Sequence, residues 1–193
     1  MALKLTERFE QALIFGTRLH ANQVRKGSGI PYISHLLAVA SLVMENGGTE
    51  DEVIAAYLHD AAEDQGGRAT LDLIRERFGE NVARIVAACT DSWVEPKPAW
   101  RPRKEQYLEH LRQEESPSVL LVSSADKLHN ARTILADYRM VGESLWDRFS
   151  GGKEGVLWYY RSLADIFKSK GVKPAIADEL ERLVNEIEKL ARN

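Results

Sequence analysis

His59 and Asp60 stand side by side at the end of an apolar run that begins at Val53, and Glu63 and Asp64 follow one helical turn later. A buried carboxylate or imidazole without a partner is costly, on the order of several kcal/mol for a charged group. Four such groups at the end of an apolar helix therefore ask for a cation, a substrate or both. Adjacent helical positions diverge by about 100°, so His59 and Asp60 can converge on one ion only near a helix end. Two more polar groups lie among apolar residues: His35, in the first turn of a helix expected from Tyr32, and Asp126, inside the apolar run 119–128. Asn130 follows Asp126 by one turn on the same face.

Two imidazoles and two carboxylates suit a divalent first-row metal (Mn, Fe, Ni or Zn), with Mn or Fe favoured if coordination is octahedral. The carboxylates neutralise the ion, and water and a substrate oxygen complete its shell, so hydrolysis is the expected chemistry. Glu63 and Asp64 are then candidates for activating the water or protonating the leaving group.

The elements that must position these groups are helical throughout, because apolar residues recur at helical spacing and strand signals are nearly absent. Thr6 is expected to cap a first helix that buries Phe9, Leu13 and Thr17. A basic, glycine-containing loop spans 24–31, and the second helix runs from Tyr32 to Gly47-Gly48. Thr49 is placed as the cap of a third helix ending around Asp64, and Thr70 as the cap of a short one stopped by Gly79. Residues 92–103, with Pro96, Pro98 and Pro102, read as a stiff surface loop. Ser116-Pro117 opens a long apolar helix, Gly151-Gly152 separates it from a helix over 156–167, and an amphipathic helix fills 174–192. The expectation is an all-α bundle of about ten helices in one domain, 1–193. The stripe of Leu180, Leu183, Val184, Ile187 and Leu190 reads as a packing face or a homodimer surface. His20, His110 and His129 read as surface or packing histidines, and the Trp158-Tyr159-Tyr160 cluster as core with one ring free to line a pocket.

At 193 residues, with 44% hydrophobic and 28% charged residues, the composition is that of an ordinary globular chain. No apolar run approaches the ~20 residues of a membrane span, and the N-terminus lacks the apolar stretch of a leader. The single cysteine, Cys89, fits a reducing, cytoplasmic setting. A net charge of −3 gives no global signal for nucleic acid, so anion binding must be local. The local cations are Arg25, Lys26, Lys97, Arg101, Arg103, Lys104, Lys127 and Lys153.

The set His35, His59-Asp60 and Asp126, flanked by Arg25-Lys26-Gly27, Pro31-Tyr32-Ile33-Ser34, Glu63-Asp64 and Asp126-Lys127-Leu128-His129-Asn130, resembles the HD phosphohydrolase superfamily. Over residues 9–167 it is most similar to the hydrolase domain of RelA/SpoT homologues, in the free-standing form of small alarmone hydrolases such as the metazoan SpoT homologues. The resemblance implies metal-dependent release of pyrophosphate from the 3′-position of purine nucleoside polyphosphates, (p)ppGpp and by extension (p)ppApp, with Mn²⁺ as the usual ion. It implies His35, His59, Asp60 and Asp126 as metal ligands and Glu63 and Asp64 as the catalytic pair. By the same resemblance Arg25 stacks on the purine, with Lys26 beside it, Asn130 contacts the nucleotide, and Lys153 occupies a phosphate-binding position. Lys97 and Arg103 are added as phosphate contacts because a polyphosphate needs cations beyond one metal. No synthetase region is expected after the hydrolase region. The competing readings are an HD nucleotidase acting on other nucleotides and a non-catalytic alarmone-binding protein.

Overall fold

The helix caps are where local sequence rules act most directly. In the computed structural model, which describes residues 3–94 and 96–192, the Thr6 hydroxyl accepts from the Arg8 amide and opens α1 (Glu7–Leu19). Met1 and Ala2, at the head of the stretch read for a leader, lie outside the described residues, as do Glu95 and Asn193. Thr49 and Glu52 exchange side-chain and backbone bonds in a capping box at the start of α3 (Glu50–Leu58). Between them α2 (Ile33–Glu45) buries Leu36, Val39, Ala40 and Val43, together with His35.

The chain then departs from the expected helix to Asp64. Helix α3 ends at Leu58, His59 and Asp60 form a turn, and a single turn of helix, α4 (Ala61–Asp64), resumes beyond them. This break lets two adjacent side chains aim at one point, which a continuous helix forbids. Thr70 is not a cap either. Gly66 and Gly67 adopt positive φ, α5 (Gly67–Phe78) starts before Thr70, and the Thr70 hydroxyl donates back to the Gln65 carbonyl at 2.5 Å. Helix α6 (Glu80–Cys89) follows Gly79 as expected.

The proline-rich excursion is shorter than 92–103, because α7 (Trp100–Gln113) takes in Arg101, Pro102 and Arg103. Pro102 is tolerated in the first turn, where its missing N–H has no partner to lose. Trp100 anchors that helix start on two glycines. A Cβ on Gly151 or Gly155 would approach the indole to 2.7 and 3.0 Å. Pro117 opens α8 (Pro117–Val141), a 25-residue helix and the spine of the molecule. A 3-10 segment, Gly142–Arg148, intervenes before α9 (Gly152–Ser169), at a place where no separate element was expected. Helix α10 (Pro174–Ala191) packs its apolar stripe on α8 and α9. The described residues thus form ten α-helical segments and one 3-10 segment, and their one β-type pairing is the bridge of Val24 with Pro31 that pinches the basic loop.

Candidate metal centre and nucleotide cavity

Three elements meet at the break after α3. Helix α2 brings His35, the turn brings His59 and Asp60, and the middle of α8 brings Asp126. His35, His59 and Asp126 are buried, and each offers one ligating atom within 4.8 Å of the others. Asp126 Oδ1 lies 3.2 Å from His35 Nε2 and 3.5 Å from His59 Nε2. Asp60 Oδ2 is 3.0 Å from His59 Nε2 and 3.6 Å from His35 Nε2, so it joins the same group.

Both imidazole Nε2 atoms are buried without a hydrogen-bond partner. Their other nitrogens are engaged. His59 Nδ1 donates to the Ala56 carbonyl at 2.8 Å, and His35 Nδ1 shares a hydrogen with His129 Nδ1 at 2.7 Å. A carbonyl can only accept, so the proton of neutral His59 sits on Nδ1 and Nε2 keeps its lone pair. The electrostatics mark Nε2 of His59 as a place where positive charge, from a proton or a cation, is favoured. Burial opposes charge on His59, yet the field of Asp60 and Asp126 outweighs it and drives its pKa up. On His35 burial prevails and its pKa falls. Two buried imidazole nitrogens without a hydrogen-bond partner, facing two carboxylates, form a cluster short of positive charge, and these residues fit a divalent cation.

The surrounding shell takes in Tyr32, which the sequence marked as a flank, and Lys127 and Asn130, which it read as a cation and a contact for the nucleotide. The Tyr32 hydroxyl donates to Asp60 Oδ2 at 2.6 Å. Lys127 Nζ donates to Asp126 Oδ2, and Asn130 Nδ2 to Asp126 Oδ1, both at 2.6 Å. His129, read as a surface or packing histidine, is half-buried and holds the back of His35. Its short approach to His35 is across 94 positions of sequence, which no local pattern signals.

Glu63 and Asp64 lie beside the cluster, gripped from the far side. Glu63 Oε1 accepts from Lys97 Nζ at 2.7 Å and Oε2 from the Asp91 amide at 3.1 Å. Asp64 accepts from Lys97 at 3.1 Å and from Gln23 at 2.9 Å. Burial, with the charges of Asp91 and Asp60, pushes the Glu63 carboxyl up to about 6, and Lys97 limits that rise. Lys97 is therefore placed on the two acids, whereas the sequence reading placed it on substrate phosphate. Arg103 is likewise committed elsewhere, with a two-pronged bond to Asp91 at 2.6 and 2.8 Å. Against the cost of its burial, Lys104 and Arg103 hold Asp91 down at about 2. Lys153 pairs with Glu143 at 3.0 Å and is absent from the cavity lining.

A cavity of about 330 Å³ runs from Lys127 and Asn130 along one face of α8. Its mouth carries Arg25, Lys26 and Tyr32, and Arg25 donates to Asn130 Oδ1 at 2.8 Å. Lys104, Lys127 and Arg148 add charge, while Trp100, Phe149, Tyr159 and Tyr160 supply rings. Arg25, Lys26 and Asn130 are thus brought together as the sequence required, and Tyr159 and Tyr160 face the cavity as well as the core. The size and mixed lining suit a phosphorylated small molecule. A wider groove of about 580 Å³ between α1 and α5, lined by Phe15, Leu19 and Phe78, holds none of these groups.

An all-helical bundle with a His, His-Asp, Asp cluster at a helix break defines the HD class, and residues 12–156 match the HD domain family. The chain is 34% identical over 176 residues to the guanosine-3′,5′-bis(diphosphate) 3′-pyrophosphohydrolase MESH1 of Danio rerio, covering 89% of each. It is 39% identical over 127 residues to the Mus musculus protein of that name, 64% of this chain and 68% of the relative. It spans far less of the long relatives: the match to the probable GTP pyrophosphokinase of Mycobacterium leprae, 36% identical, covers 65% of this chain and 16% of that protein. Among solved structures, a metazoan ortholog of SpoT that hydrolyzes ppGpp superposes with a TM-score of 0.76 over 96% of this chain and 98% of its own. At 21% identity that likeness establishes the fold. The Listeria monocytogenes protein lmo0812 matches with a TM-score of 0.69 at 31% identity, over 80% of this chain and 99% of its own. The chain belongs to the HD domain family, in its MESH1 and SpoT-like branch. No described helix is long and apolar enough to cross a membrane.

Proposed function

We propose that this chain is a metal-dependent pyrophosphohydrolase that removes the 3′-pyrophosphate of purine nucleoside polyphosphates, (p)ppGpp first and (p)ppApp within the same chemistry. One observation carries the reading: the orphaned His35 and His59 nitrogens and the carboxylates of Asp60 and Asp126 open beside Glu63 and Asp64, next to a cavity walled by cations and rings. His35, His59, Asp60 and Asp126 would hold the ion, with Mn²⁺ matching the oxygen-rich half of the set. The ion supplies Lewis acidity toward a phosphoryl oxygen.

The chain's own residues do the rest. Glu63, kept ionised above about pH 6, takes a proton from the attacking water. The water oxygen bonds to the phosphorus attached to the 3′-oxygen, the P–O3′ bond breaks, and pyrophosphate departs. The 3′-oxygen leaves as a hydroxyl by taking up the proton that Glu63 drew from the water, while the Asp64 carboxylate orients that water. Lys97 orients both carboxylates, and Arg25 and Lys26 receive the nucleotide at the mouth. Residues 1–193 act in this reading as one HD domain, with the 3-10 segment and α9 closing the cavity side of α8. Support for the substrate class comes from the activity that the MESH1 relatives' names state.

The test is turnover of ppGpp, pppGpp, ppApp and pppApp with Mn²⁺ and its loss with a chelator. Turnover only of simple nucleotides would transfer the chain to the HD nucleotidases. Binding without turnover would make it an alarmone-binding protein.

The position of Lys97 also sets a pH dependence. The reactive form of Glu63 is the carboxylate, so kcat/KM is expected to fall as pH drops through about 6. Lys97 lowers the Glu63 pKa, so Lys97→Ala raises it and the acid limb moves to higher pH. A pH–rate profile of both proteins checks this, and an unmoved limb would remove Lys97 from the control of Glu63.

A further inference from the structure

The stripe of α8 that begins at Asp126 continues through Asn130, Thr133 and Ile134 to Asp137, all but Asp126 lining the cavity. At 1.5 Å per residue, Asp137 lies about 16 Å along the helix from Asp126. With the 3′-phosphates at the Asp126 end, the rest of the nucleotide extends toward Asp137. There the wall is apolar, from Ile134, Leu145, Phe149 and Val156, except for one charged pair: Arg148 Nη1 donates to Asp137 Oδ2 at 2.9 Å. Arg148 comes from the 3-10 segment, and its stem is pinned beneath Gly27, where a Cβ would approach Arg148 Cδ to 2.5 Å. The pair is only partly buried, with 24% of the Asp137 side chain and 23% of the Arg148 side chain exposed.

We propose that Asp137 and Arg148 read the base and select guanine. The proposal rests on the nucleotide-hydrolase reading and adds the specificity that reading leaves open. Their mutual bond uses one carboxylate oxygen and one guanidinium nitrogen. The other carboxylate oxygen and the remaining N–H groups can face the cavity, so acceptor and donor stand side by side. Guanine offers the complement: N1–H and the 2-amino group donate, and O6 beside them accepts. Adenine offers the reverse, a bare N1 toward the carboxylate and an amino group toward the guanidinium. A site built to hydrogen-bond a substrate rejects the analogue that leaves its polar groups unpaired. The apolar wall removes competing water, which strengthens that choice.

Wild-type protein is expected to favour ppGpp over ppApp by at least about 10-fold in kcat/KM. Asp137→Ala is expected to collapse this ratio by about 10-fold or more, chiefly through KM for the guanine substrate. Asp137→Asn presents an amide N–H to position 2 of the base, so it is expected to gain affinity for xanthosine 5′-diphosphate, whose C2 carbonyl accepts. A residue that merely supported the fold would produce no such exchange. Titration calorimetry with GDP, ADP and xanthosine 5′-diphosphate reads the same preference without turnover. A GDP preference that Asp137→Ala abolishes sustains the inference even if no 3′-pyrophosphate is cleaved, a result that would sink the hydrolase reading alone. Equal wild-type affinity for GDP and ADP overturns it. So does a loss in Asp137→Ala or Arg148→Ala that is equal for guanine and adenine ligands, because the pair would then serve phosphate or stability.

Discussion

Glu63→Gln is expected to lower kcat by about 10²- to 10⁴-fold while leaving bound metal at its wild-type stoichiometry. Glutamine keeps the size of the side chain, and its one carbonyl oxygen can still accept from Lys97 or from the Asp91 amide, the two groups that fix Glu63. It loses the basic carboxylate that takes the proton of the attacking water. KM should change little, since Glu63 does not line the nucleotide cavity. Stopped assays for kcat with elemental analysis on the same preparation separate the two effects. A kcat within about threefold of wild type would remove Glu63 as the base.

The second large effect falls on the metal. Asp126→Asn is expected to weaken divalent-ion affinity by at least about 100-fold, and activity should fall with occupancy. Asparagine is the informative choice because its amide oxygen can still accept from the largely buried Lys127 ammonium that Asp126 holds. Truncation to alanine would leave that ammonium with no acceptor at position 126, at a cost of about 3–5 kcal/mol, and could unfold the protein for reasons unrelated to metal. Circular dichroism verifies the fold, and calorimetric titration with Mn²⁺ reads the affinity. Unaltered Mn²⁺ binding in a folded variant would exclude Asp126 as a ligand.

The sequence carried the chemistry further than the geometry that delivers it. Helical periodicity, the Thr6 and Thr49 caps and the Ser116-Pro117 start are local effects, and each appears where local rules place it. The break at His59-Asp60 does not, because Tyr57 through Glu63 contains no residue that stops a helix. A tertiary contact, Tyr32 drawing Asp60, acts there together with a local one, the Ala56 carbonyl holding His59 from three residues back. Helix α7 begins early for a similar reason: Trp100 finds a seat on Gly151 and Gly155, some 50 positions away in the chain.

Charge was harder still to assign. A lysine in a proline-rich loop and an arginine beside it look alike in sequence, yet Lys97 reaches Glu63 and Arg103 reaches Asp91. Each is a long-range pairing with no periodic signature. His129 and the pair Asp137–Arg148 escaped for the same reason, since they acquire meaning only from what the fold sets against them.

The central claim is that the cluster and the Glu63–Asp64 pair direct water to the phosphorus on the 3′-oxygen. The most direct test is the product of ppGpp turnover with Mn²⁺, identified by ³¹P NMR. GDP and pyrophosphate in equal amounts, with no orthophosphate at early times, is the predicted result. Orthophosphate as the first product, with a shortened phosphate chain still on the 3′-oxygen, would contradict the account.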